Sequence, residues 1–111
     1  ARSKGATIEL TDEPDVAVSG ATAVIADTWL SMHDKGDVRA RRHNLLQPYQ
    51  VNADLMARAR PDALFLHDLP AHRGEEASAS VIDGPQSRIW RQAENRMHAV
   101  RGLMAWILLQ A

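Results

Sequence analysis

The chain has 111 residues, 45% of them hydrophobic and 24% charged, with a formal net charge of -1. That length and balance suit one compact domain with its own core, and the near-neutral, interspersed charge gives no field for drawing in nucleic acid or an acidic membrane surface. The absence of cysteine excludes both a disulfide framework and a thiolate metal site. The longest apolar run, residues 103–109, is too short to span a bilayer. The opening residues lack a signal-peptide core and its flanks, so a soluble cytoplasmic protein is expected.

In chain order, Thr7-Ile8-Glu9-Leu10-Thr11 is a β-rich run. Asp12-Glu13-Pro14 then suits the start of a short helix over residues 15–19. Ala23-Val24-Ile25-Ala26 and Ala63-Leu64-Phe65-Leu66 are continuous apolar runs ending at Asp27 and His67. Such runs predict strands of a sheet covered on both faces. Between them, residues 33–44 read as a polar segment with room for motion, and Arg39-Ala40-Arg41-Arg42-His43 as a solvated basic loop. A helix is predicted over 52–60, with Leu55, Met56 and Ala59 on one side and Pro61 as its stop. Strand, crossover helix, strand implies parallel pairing. A second crossover is expected over 74–82, broken by Gly84-Pro85 before the short run Ser87-Arg88-Ile89-Trp90. A closing helix over 94–109 carries Met97, Val100, Leu103, Met104, Ile107 and Leu108 at spacings of three and four, a stripe that must face a partner surface. The fold class expected is α/β: a three-layer parallel sheet of about three to four strands with flanking helices, within a single domain over residues 1–111.

In an open parallel sheet, ligands bind in the crevice beyond the carboxyl ends of the strands. Two strands end here in Asp27 and in His67-Asp68, which converges polar groups on one rim. Asp27-Thr28-Trp29-Leu30-Ser31-Met32 adds a hydroxyl and backbone groups suited to the ammonium and carboxylate of an amino acid. The alternative is that Asp27 and Ser31 cap the loop backbone, as short polar side chains commonly do. His67, Asp68 and His72 offer metal-ligand types, but Pro70 breaks the helix that would align them, and no metal is expected.

His67-Asp68-Leu69-Pro70 resembles the His-Cys-Leu-Pro segment of ornithine carbamoyltransferases, with Asp68 in place of the family cysteine. The likeness continues through Val81-Ile82-Asp83-Gly84-Pro85-Gln86-Ser87 and Ala93-Glu94-Asn95-Arg96-Met97-His98. Asp27-x-x-x-Ser31-Met32 is similar to the family's ornithine loop, which usually continues with glycine where this chain has His33. The resemblance implies an incomplete Rossmann-like, ornithine-binding domain, represented only by its carboxyl-terminal part. The carbamoyl-phosphate domain with its Ser-x-Arg-Thr-Arg segment has no counterpart here, nor does the first strand-helix unit of the ornithine domain. It further implies that Asp27, Ser31, Met32, Asp68 and Leu69 lie on the ornithine side and that His67 and Arg96 reach carbamoyl phosphate, with Asp27, His67, Asp68 and Arg96 as the catalytic set. No cofactor is implied. The substrates would be L-ornithine and carbamoyl phosphate, with the site completed by the missing part and self-association or a homo-oligomer expected. A carboxylate at 68 would favour the charged form of the ornithine side-chain amine, which cannot attack. Two other readings stay open: a non-catalytic excised, engineered or degenerate folding unit, and carbamoyl transfer to a different amine.

Overall fold

The computed structural model describes residues 2–30 and 36–110. After a 3-10 turn at Arg2–Lys4, the order is α1 (Pro14–Val18), β1 (Ala23–Ala26), α2 (Gly36–Leu46), α3 (Ala53–Met56), β2 (Leu64–His67), α4 (Ala79–Ile82) and α5 (Ile89–Gln110). β1 and β2 pair in parallel, Ala23 opposite Leu64 through Ala26 opposite His67. The α/β class and the parallel crossover are therefore as expected.

The sheet is smaller than the expected three to four strands. Two strands are present among the described residues, and a third position is marked by a single parallel bridge between Phe65 and Ser87. There Phe65 N–H donates to Gln86 and the Phe65 carbonyl accepts from Arg88, both at 2.9 Å, before α5 begins at Ile89. The helix takes in Ile89 and Trp90, the second half of the short run. Thr7 to Thr11 forms no strand, and Leu10 is 89% exposed. β propensity expresses packing on a half-buried pleated surface, which this segment lacks.

Coverage of the sheet also differs from the expected two faces. Val24, Phe65 and His67 point inward, whereas Ile25 is 68% exposed and Leu64 is also open on the opposite face. The inward face meets Val18, Val51, Leu55, Met56, Val81 and Ile82 in one core cluster. Asn52 starts α3 by accepting the Leu55 N–H on its side-chain oxygen at 2.9 Å. α3 stops short of residue 60 because the backbone there is used elsewhere: the Arg58 carbonyl accepts from Gly20 and Arg60 N–H donates to Ala21. Gly84 follows α4 where an added Cβ would lie 2.3 Å from the Ser80 carbonyl oxygen, so no larger residue fits without a shift.

α2 replaces most of the expected polar loop, and the basic cluster of residues 39–43 lies on it. It buries none of its residues, so it leaves no apolar stripe for periodicity to detect, although Arg39, Ala40, Arg41, Arg42, Leu45 and Leu46 are strong helix formers. α5 runs 22 residues, about 33 Å at the helical rise. Its expected stripe exists, yet Met97, Val100, Leu103, Met104, Ile107 and Leu108 are all more than half exposed. No helix among the described residues is long and apolar enough to cross a membrane.

Candidate functional site

The register sets the site. Ala26 and His67 form the last strand pair, so Asp27 and Asp68 are the first residues beyond adjacent, parallel strand ends. Asp27 Oδ1 accepts the Thr28 N–H at 2.7 Å, the turn-capping role that competes with ligand binding for this side chain. The Thr28 hydroxyl donates to the Pro70 carbonyl at 2.6 Å and ties the two strand-end loops together. Arg96, from the first half of α5, donates through its guanidinium to the Asp68 carbonyl. Glu94 is 3.7 Å from His98 rather than serving Arg96. Asp27, Asp68, Leu69 and Arg96 thus share one rim, whereas Ser31 and Met32 lie outside the described residues.

His67 belongs to the same segment but not to its surface. Its ring is 0% exposed. Its N–H donates to Gln92 Oε1 at 3.0 Å, and its Nδ1 accepts the Leu69 N–H at 2.9 Å. Whatever His67 contributes to the rim therefore runs through the backbone it holds. Leu69 has φ +66°, a left-handed conformation that costs a branched L-residue roughly 1–2 kcal/mol. The hydrogen bond to the ring helps fix it there.

Behind the ring sits Glu76, only 1% exposed, with Oε1 3.3 Å from His67 Nε2 and accepting the His72 N–H at 2.5 Å. The Gln50 side chain donates to the Gly74 and Glu75 carbonyls at 2.9 and 2.8 Å, closing the far end of the loop. At the outer edge Arg73 grips Asp83 with two hydrogen bonds of 2.8 and 2.9 Å, and that guanidinium holds the Asp83 carboxyl below its usual range.

Glu76 and Gln92 escaped the sequence reading. A buried carboxylate inside a densely charged run looks like its solvated neighbours, and only its three-dimensional partners distinguish it. For a metal ion, His72, Glu75 and Glu76 bring one donor atom each within 4.8 Å of one another. Glu75 already faces the Arg39 guanidinium at 3.3 Å, and Glu76 is engaged by His72 N–H. His67, Asp68 and His72, from which no metal site is expected, do not form such a group among the described residues, and the Leu69 N–H occupies His67 Nδ1.

The aspartate/ornithine carbamoyltransferase family, Asp/Orn binding domain, matches residues 1–107. The chain belongs to this family. An ornithine carbamoyltransferase of Ruegeria pomeroyi is 57% identical over 108 residues, 97% of this chain and 35% of that protein. One of Nitrobacter winogradskyi is 58% identical over 107 residues, 96% of this chain and 34% of its own length. The solved ornithine carbamoyltransferase from Pyrococcus furiosus superposes with a TM-score of 0.85 at 44% identity, covering 94% of this chain and 33% of that one. The chain thus spans about a third of the length of the relatives it matches, and its sheet is part of the family's Asp/Orn-binding domain.

Proposed function

We propose that this chain supplies the ornithine side of a carbamoyltransferase that moves a carbamoyl group from carbamoyl phosphate to L-ornithine, giving L-citrulline and phosphate. The observation that carries the reading is the rim at the two strand ends, where Asp27 and Asp68 follow the last parallel pair and Arg96 reaches Asp68 from α5. Asp27, Ser31 and Met32 hold the amino-acid end of ornithine, and Asp68 and Leu69 lie beside its side chain. Arg96, together with the loop that His67 holds, faces carbamoyl phosphate. The remaining two thirds of such an enzyme bind the phosphate.

In the reaction the neutral side-chain amine attacks the carbonyl carbon of carbamoyl phosphate. A C–N bond forms, the C–O bond to phosphate breaks, and the amine releases a proton, while cationic donors such as Arg96 stabilise the developing oxyanion. Asp68 strengthens binding of the charged amine and thereby slows its attack. That same substitution favours a second reading, a non-catalytic folding unit that binds or assembles. In either case we place the chain in the cytoplasm as one partial domain, with the exposed α5 stripe serving association with the rest of the enzyme or with further copies.

The test is citrulline formation from carbamoyl phosphate and ornithine, by this chain alone and with the complementary two thirds supplied as a separate polypeptide. Turnover only in the mixture is expected. No turnover in either, from folded samples, would establish the non-catalytic reading, and turnover by the chain alone would overturn the claim that its site is partial.

A further inference from the structure

We propose that Glu76 is a positioning residue that fixes the tautomer of the His67 ring and, through it, the backbone at Leu69 on the substrate rim. The proposal rests on the reading of Asp68 and Leu69 as ornithine-side residues only for its functional consequence; the device itself is defined by geometry.

The Leu69 N–H donates to His67 Nδ1 at 2.9 Å, so Nδ1 must carry a lone pair and the neutral ring must hold its one proton on Nε2. Which nitrogen keeps the proton is set by the partner that the other one meets. Two carboxylates compete for this choice. Asp68 Oδ1 lies 3.5 Å from Nδ1 and draws the proton there, against the Leu69 bond. Glu76 Oε1 lies 3.3 Å from Nε2, an electrostatic contact without hydrogen-bond geometry, and draws the proton to the opposite side. The contest is unequal, because Asp68 is 59% exposed and screened by solvent, whereas the Glu76 and His67 side chains are both 0% exposed.

Glu76 is also held in place for this task. Its Oε1 accepts the His72 N–H, and its backbone carbonyl accepts the Val51 N–H at 2.9 Å in the bridge that joins residues 51 and 77. The His72 ring, with Nδ1 3.7 Å from the second Glu76 oxygen, and the Glu75 carboxylate, with an oxygen within 4.8 Å, are the other ionisable groups beside it. On the opposite side, the His67 backbone N–H donates to Gln92, while burial and the Leu69 bond to Nδ1 hold the ring, so that its proton is left to assign. Asp68 therefore makes Glu76 more necessary here than it would be beside an uncharged residue.

The experiment is long-range proton–nitrogen correlation of the histidine rings, with amide exchange at Leu69, on the full chain uniformly labelled with nitrogen-15. In the native chain His67 is expected to be one tautomer, protonated at Nε2, with a protected Leu69 amide. In Glu76→Leu the proton moves to Nδ1 and Leu69 exchanges about five- to tenfold faster, the loss of one typical hydrogen bond. Glu76→Gln, which keeps a carbonyl oxygen beside Nε2, keeps the native tautomer, and Asp68→Cys in the Glu76→Leu background restores part of it.

A native ring protonated at Nδ1 would overturn the proposal. So would a folded Glu76→Leu chain with native tautomer and native Leu69 exchange. If Glu76→Leu does not fold, the native and Glu76→Gln spectra decide, since loss of the Nε2 proton in Glu76→Gln also overturns it. Added L-ornithine separates this device from the functional reading. A Leu69 amide shift that disappears with the Nε2 tautomer supports both, while a locked tautomer with no response to ornithine upholds the device and removes the substrate assignment.

Discussion

The loop over residues 67–76 and the outer half of α5 are held by opposite means. In the loop, polar groups meet partners from distant parts of the chain: Gln92 at His67, Gln50 at Gly74 and Glu75, Arg96 at Asp68, and Thr28 at Pro70. In α5, regular backbone geometry is complete while its apolar side chains stay open, and Ile89 is the buried residue of the helix. A region without periodicity can thus be the most constrained part of a fold. A strongly periodic helix can advertise a surface that other residues must cover.

The contrast breaks first at the base of the loop. Phe65 is 0% exposed, and Phe65→Ala is expected to destabilise the chain by about 3–5 kcal/mol in urea unfolding followed by circular dichroism. A loss no larger than that of a surface change would erase the distinction between β2 and α5. Gly84→Ala, which drives a methyl group into the Ser80 carbonyl, should cost about 1–3 kcal/mol in the same assay. On the rim, Asp68→Cys should raise citrulline production by the completed enzyme about tenfold, the effect of lowering an amine pKa by one unit; an unchanged or lower rate would sink the account of Asp68. On the other side of the comparison, Leu103→Ser should change the stability of the monomeric chain by no more than about 0.5 kcal/mol, and a larger loss would mean that the stripe is already covered.

The smallest effect belongs to the outer ion pair. Because Arg73 lowers the Asp83 pKa in the folded chain, the pair contributes stability above the ordinary carboxylate range and loses it as pH falls through the folded pKa. Arg73→Gln should flatten that acid limb slightly, more visibly at low salt than at high, and an acid limb identical to the native one would show that the pair is fully screened.

Much of this was legible from the residues. The runs ending at Asp27 and His67 are parallel strands, Pro14 opens a short helix, and the resemblance of 67–70, 81–87 and 93–98 agrees with the family match. What failed has a common cause. α2 buries no residue and so gives no stripe, while Thr7 to Thr11 has strand-forming residues but no pleated surface to pack on. For the site, the rim positions of Asp27, Asp68 and Arg96 could be expected, but the competition at His67 could not. It depends on which of two adjacent acids, Glu75 or Glu76, turns inward, and adjacent acids look alike in a sequence.

The hydrogen bond from Thr28 to Pro70 joins residues 42 apart, with the whole β1 to β2 crossover between them. Closing so long a loop loses chain entropy that no local contact returns, whereas helical turns form within their own neighbourhoods. The rim therefore rests on the pairing of β1 with β2, a contact between distant parts of the chain that no local turn can replace. Asp27 and Asp68 become neighbours only once that pairing is made.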